Sequence, residues 1–101
     1  MIKHIVLFQL KEEAQGATKA QNIEKARAIA DRFLKEIPSL KAFAMHTNLE
    51  GAPSGNDDLV LLCEFEDLQG LHDYAVHPTH QEFVQFIGSV RESRRAIDYW
   101  G

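Results

Sequence analysis

Asp73-Tyr74-Ala75-Val76-His77-Pro78-Thr79-His80 is the stretch on which the reading of this chain turns. Pro78 has no backbone N–H and its ring pushes His77 out of the α region, so a helix reaching Val76 is expected to break there. A second helix is expected to restart at once. Proline suits a first helical turn, and Thr79-x-x-Glu82 has the form of a capping box. The bend gathers Tyr74, His77 and His80, side chains that can give or take protons.

The rest of the chain is placed by working outward from this bend. Upstream, Asp67 reads as the N-cap of a helix over 68–76 with Leu68, Leu71 and Ala75 facing inward. Before it, Leu59-Val60-Leu61-Leu62-Cys63-Glu64-Phe65 reads as a strand, apolar on both faces at its start. Residues 50–58, with Gly51, Pro53, Ser54, Gly55 and Asn56, read as a mobile hairpin tip joining that strand antiparallel to one over 40–49. On this second strand Phe43, Met45 and Leu49 share a face. Downstream of the bend, Phe83, Phe86, Ile87 and Val90 mark one helical stripe, and residues 94–100 read as a terminal strand.

At the other end of the chain, Ile2 to Leu10 predicts the first strand. Ile2, His4, Val6, Phe8 and Leu10 lie on one face, Ile5 and Leu7 on the other. Residues 11–16 read as a polar connection. From about Thr18 to Ile37, the spacing of Ile23, Ala26, Ala30, Phe33, Leu34 and Ile37 predicts a helix, ended by Pro38-Ser39.

The order β-α-β-β-α-β predicts one α+β domain over residues 1–101 with a ferredoxin-like, split βαβ arrangement and an antiparallel sheet. Right-handed crossovers place both helical segments on one face of that sheet. The other face keeps Ile5, Leu7 and residues from Val60 to Phe65. A face that apolar needs cover, and a second copy of the chain is the simplest cover, so a homodimer with its sheets face to face is expected.

Composition narrows the function classes. Lys and Arg number 11 against 15 Asp and Glu, a formal charge of −4, which argues against nucleic acid or an anionic membrane surface as partner. No apolar run approaches a membrane span, and Met1-Ile2-Lys3-His4 does not open a signal peptide. The single cysteine, Cys63, excludes an intramolecular disulfide and fits a reducing cytoplasm. It is expected to be buried in a central strand as a small hydrophobe.

His4 and His80 each read either as core histidines tied to backbone or as residues of a site, and His77 as a cap or surface residue. The three imidazoles are enough for a zinc site in number, yet proline breaks their spacing and no Asp or Glu stands as a clear partner, so no metal is assigned. Asn56-Asp57-Asp58 lacks the spaced ligands of a calcium loop and reads as a solvated turn. Arg91, Arg94 and Arg95 read as a cluster balancing acidic residues. No Gly-rich phosphate loop or nucleophile elbow is present.

Four features in order, Lys3-His4-Ile5-Val6-Leu7-Phe8, Ile37-Pro38, Asp73-Tyr74-x-x-His77-Pro78-x-His80 and Ile97-Asp98-Tyr99, resemble the stress-responsive A/B barrel (Dabb) domain across essentially the whole chain. The resemblance implies a dimeric α+β barrel of ferredoxin-like protomers. One plant branch of that family, similar to olivetolic acid cyclase, closes a linear polyketide thioester by aldol condensation with no metal or organic cofactor. The resemblance to it implies His80 as the general base at a carbon α to a carbonyl. It also implies Tyr74 as hydrogen-bond donor to the carbonyl oxygen or the base, and His4 as the residue that orients the substrate. By the register from Ile37-Pro38, Ala30 stands where that branch carries a pocket tyrosine, so a smaller, drier wall and a different ligand are expected. The expectation is therefore a pocket lined by His4, Tyr74 and His80 for a small apolar or aromatic carbonyl compound, either converted without a cofactor or simply bound by a stress-response dimer.

Overall fold

Alternating side chains make the first strand, β1 (Ile2–Leu10), the middle of the sheet: Ile2, His4, Val6, Phe8 and Leu10 are all buried on one face. The computed structural model describes all residues 1–101. β1 is flanked by antiparallel partners on both sides. The short strands β2 (Glu13–Ala14) and β3 (Ala17–Thr18) form a separate hairpin. The main sheet is completed by β4 (Ala42–Thr47), β5 (Leu59–Phe65) and β6 (Arg91–Trp100) in the order β4-β5-β1-β6. With helices α1 (Lys19–Ala30), α2 (Phe33–Glu36), α3 (Leu68–Val76) and α4 (Pro78–Val90), this is the ferredoxin-like α+β fold. No helix is long and apolar enough to cross a membrane.

Several local expectations need correction. The polar connection after β1 is a two-residue hairpin, because Gln15 (φ 53°) and Gly16 (φ 72°) both take the left-handed conformation that such a turn demands. Thr18 then caps α1, accepting from the Gln21 N–H at 3.2 Å while the Gln21 side chain accepts from the Thr18 N–H at 2.9 Å. The helix expected through Ile37 ends at Ala30. A tightened turn, with the Arg32 N–H on the Ile29 carbonyl at 3.1 Å, separates it from α2. Past that turn Phe33 and Ile37 are buried, but Leu34, expected on the inner stripe, faces solvent. Leu49 lies beyond the end of β4 and is exposed as well.

The turn 56–58 is not simply solvated. The Asp58 carboxylate accepts from the Leu10 N–H at 2.7 Å and from Lys19 Nζ at 3.2 Å, while its own N–H donates to the Phe8 carbonyl at 2.8 Å. Asp57 accepts from Arg95 Nε at 3.2 Å. Asp58 ties the base of the loop to the end of the central strand β1 and Asp57 ties it to the edge strand β6, which accounts for their low exposure. Strand β6 starts at Arg91, directly against the last turn of α4, three residues before the expected boundary.

The face of the sheet turned away from the helices carries one apolar row across all four strands, Ala44–Leu62–Ile5–Ile97. Leu62 and Ile97 are exposed on it. The next row on one side ends in Arg95 and the row on the other holds the Lys3–Glu64 ion pair at 2.8 Å. The apolar band is thus bordered by charge.

Replacing Asp58 by Ala should cost about 1–3 kcal/mol of unfolding free energy in urea titration, since it strands the buried Leu10 N–H and leaves the Lys19 ammonium without that partner. A change below about 0.5 kcal/mol, the ordinary size for a surface substitution, would show the loop base to be an incidental contact.

Candidate functional site

Register places the first half of the site. On the helix-covered face, Phe43, Cys63, His4 and Asp98 are cross-strand neighbours in a single row. His4 is 7% exposed, and its Nδ1 is hydrogen-bonded to Asp98 Oδ1. A carboxylate accepts, so Nδ1 carries the hydrogen and Nε2 is left as the free nitrogen of the ring. Asp98 thereby fixes both the tautomer and the orientation of His4.

The break at Pro78 places the second half. His77 is extended (φ −64°, ψ 138°), and its N–H closes on the Tyr74 carbonyl at 3.1 Å. The Thr79 N–H, which an unbroken helix would send to the Ala75 carbonyl, donates to His77 Nδ1 at 3.1 Å. His77 is thus the N-cap of α4, and the capping box expected from Thr79 and Glu82 does not form. With Pro78 as the first helical residue, Thr79 sits two positions past the cap; its hydroxyl donates to Glu36 at 2.6 Å and Glu82 accepts from Arg32 at 2.7 Å.

The freed Ala75 carbonyl takes two side-chain donors instead, His80 Nδ1 at 3.0 Å and Gln81 Nε2 at 2.6 Å. A carbonyl only accepts, so His80, like His4, carries its hydrogen on Nδ1 and keeps an Nε2 lone pair. Burial lowers the His80 pKa below its ordinary 6.5, outweighing the stabilising Ala75 carbonyl; the fields of His4, Arg94 and His77 act in the same direction as burial. Near pH 7 the His80 ring is neutral.

Tyr74 joins the two halves. It is 1% exposed, with its ring centroid 4.2 Å from that of His80 and 6.1 Å from that of His4. Its hydroxyl lies 3.8 Å from Cys63 Sγ, with the thiol as donor. Burial pushes the Cys63 thiol up to about 12 and raises the Tyr74 phenol as well, so neither is ionised at neutral pH and Cys63 is no thiolate nucleophile.

His4, Tyr74 and His80, the three residues singled out in the sequence, all line one cavity of about 360 Å³. Its remaining wall is mostly apolar, with Phe8, Phe83 and Ile87 among the contributors, and Arg91 and Arg94 stand on it from β6. Ala30 is 1% exposed in the core and is not part of the lining. The interior beside it is filled by the Phe33 ring, 5.1 Å from Phe43, 5.5 Å from Phe83 and 5.8 Å from Tyr74. Two contributors escaped sequence reasoning, Asp98 and Arg94. Alternation along the last strand puts both on one face, but only the pairing with β1 shows that face to be the one carrying His4 and Phe8.

The profile of the stress-responsive A/B barrel domain matches residues 2–101. The chain belongs to the Dabb family. No curated protein matches it in sequence. Among solved structures it is similar to a dimeric ferredoxin-like protein of unknown function from Thermobifida fusca (26% identity, 97% of this chain and 88% of that one, TM-score 0.83). It is also similar to a dimeric ferredoxin-like protein of unknown function from Jannaschia (30% identity, 99% and 98% covered, TM-score 0.75). A hydroxynitrile lyase from Passiflora edulis shares the fold at 16% identity (97% and 90% covered, TM-score 0.78).

In this Dabb chain the lowered pKa of His80 gives a test of its surroundings. Above pH 6.5 the ring is neutral in folded and unfolded chain alike and contributes no pH dependence. Below 6.5 the unfolded chain takes the proton first, so stability falls with pH until the folded imidazole is protonated too. Asn at position 80 keeps a donor for the Ala75 carbonyl but cannot titrate. Urea unfolding at pH 7.5 and 5.5 should show a smaller stability loss in His80→Asn than in the wild type; equal losses would place the His80 imidazole in water rather than in the cavity wall.

Proposed function

We propose that this Dabb chain works as a homodimer in which each protomer binds a small apolar or aromatic carbonyl compound and removes a proton from the carbon α to its carbonyl. One observation carries the reading. Both imidazoles beside the cavity have their Nδ1–H committed, His4 to Asp98 and His80 to the Ala75 carbonyl, which leaves two Nε2 atoms for a ligand in a mostly apolar cavity. A few polar groups set in a mostly apolar concave wall are the usual composition of a small-molecule site.

In the proposed step the neutral His80 Nε2 accepts the α proton. The C–H electron pair becomes the C=C bond of an enolate and the carbonyl π pair moves onto oxygen. The Tyr74 hydroxyl, which lies against the Cys63 thiol, is the O–H offered to that developing oxyanion. The His80 imidazolium so formed returns a proton, or after exchange with solvent a deuteron, to the carbon, while His4, held by the Asp98 carboxylate, orients the substrate. The resemblance to the polyketide cyclase branch supports chemistry of this type without a cofactor. The Passiflora edulis hydroxynitrile lyase is, by its name, an enzyme on the same fold, and at its low identity it lends no residue roles.

The test is hydrogen–deuterium exchange at the α carbon of aryl ketones in D₂O, followed by NMR. The wild type should accelerate exchange, and His80→Asn should lose about 10²-fold or more of that acceleration while remaining folded. Exchange at the wild-type rate in the variant removes His80 from the mechanism. Ligand binding with no accelerated exchange reduces the protein to a binding module.

The dimer rests on the apolar row Ala44–Leu62–Ile5–Ile97 and on the dimeric relatives from Thermobifida fusca and Jannaschia. Leu62→Lys sets a charge at the centre of that row without touching the cavity. Light scattering after size exclusion at micromolar concentration should give a dimer for the wild type and a monomer for the variant. A monomeric wild type would overturn the proposed assembly.

A further inference from the structure

The arginines of this chain are unequally provided for. Arg32 is held by Glu36 and Glu82, Arg95 by Asp57, and Arg27 reaches the Met45 carbonyl. Arg91 and Arg94 have no carboxylate within ion-pairing distance, and no side-chain hydrogen bond occupies either guanidinium. These two are the ones on the wall of the His4–His80 cavity, and no Asp or Glu shares that wall with them. In a chain with a formal charge of −4, two unpaired guanidiniums against one apolar cavity are a marked local excess of positive charge.

Their placement is fixed by backbone. Arg94 is the cross-strand neighbour of Phe8, so its side chain leaves β6 on the cavity face. Arg91 is held where α4 runs straight into β6, its N–H on the Ile87 carbonyl. The field of Arg94 is felt at both His80 and Tyr74, which puts the guanidinium within electrostatic reach of the base and the phenol.

We infer that the compound taken by this cavity carries a carboxylate as well as its carbonyl, the carboxylate paired with Arg94 and Arg91 and the carbonyl end turned toward His80. The inference rests on the small-molecule reading of the site proposed above. A guanidinium presents a planar fork of N–H donors that matches the two oxygens of a carboxylate, and next to an apolar wall such a pair is stronger than in open water. One anionic anchor at the edge and apolar surface inside also suit a keto acid, whose charged end stays near solvent while its body is buried. Arg94 then selects acids over their neutral analogues, a role separate from proton transfer.

Calorimetric titration with 3-benzoylpropionate and with its methyl ester, which differ in the charge of one end and by one methyl group, tests this. The acid should bind the wild type about tenfold or more tighter than the ester, and the difference should shrink as salt is raised. Arg94→Gln should weaken the acid by about tenfold and leave the ester unchanged, Arg94→Lys should fall between, and Arg95→Gln, on the opposite face, should change neither. Equal affinity for acid and ester, or an acid affinity indifferent to salt and to Arg94, overturns the carboxylate assignment and leaves the cavity as a neutral-ligand site. Failure of both compounds to bind overturns the small-molecule reading itself. The salt and ester comparisons use the wild-type protein alone, so a misfolded variant does not rescue the inference.

Discussion

The hydrogen bond from His80 Nδ1 to the Ala75 carbonyl is the contact on which the rest of the site depends, and it exists because of Pro78. In an uninterrupted helix the Ala75 carbonyl would accept from the Thr79 N–H, and no side chain could compete for it. Proline removes one donor of the ladder and holds His77 extended, and the His77 imidazole then captures the Thr79 N–H for itself. A backbone carbonyl is released at the point where the chain turns. That carbonyl decides which nitrogen of His80 keeps its proton, and so which nitrogen keeps a lone pair. Backbone chemistry at one imino acid therefore sets the tautomer of a side chain two residues later.

The sheet solves the same problem for His4 by different means. Here a carboxylate on the neighbouring strand, Asp98, holds Nδ1. The two anchors are not equivalent. A carbonyl dipole holds a ring without providing full counter-charge, and burial accordingly keeps His80 neutral. A carboxylate offers a full negative charge to an imidazole that gains a proton. Two histidines on one cavity are thus given different partners. Tyr74 separates them with its ring, and its hydroxyl rests on the Cys63 thiol rather than on either imidazole.

Features that depend on local chain chemistry were legible in the sequence. The element order, the two-faced apolar strands, the break at His77-Pro78 and the cap at Asp67 all follow from neighbours a few residues apart. His4, Tyr74 and His80 were reached through resemblance and then found on one cavity. Asp98 and Arg94 were not legible, since a strand alternates with period two and nothing local says which of its faces meets the helices. The Thr79-x-x-Glu82 pattern misled for a related reason. A capping box and a first-turn threonine look alike until His77, two residues earlier, is known to have filled the cap. Asp57 and Asp58 looked like turn residues because their partners, Leu10 and Arg95, are 48 and 38 positions away.

The position of the opening follows from the arithmetic of the layers. Helices α1 and α4 pack against each other, and with α3 they cover β4, β5 and β1, but β6 is exposed on nearly every residue. On the opposite side the Phe33 cluster closes the interior from Phe43 through to His80. Between α4 and β6, Arg91 and Arg94 stand on the wall of the cavity that His4 and His80 line. An edge strand is the costliest place to leave unpaired apolar surface, and charge is the usual remedy there. In this chain two of those exposed edge charges, Arg91 and Arg94, also line the cavity, so the residues that guard the edge of the sheet contribute to the wall of the site.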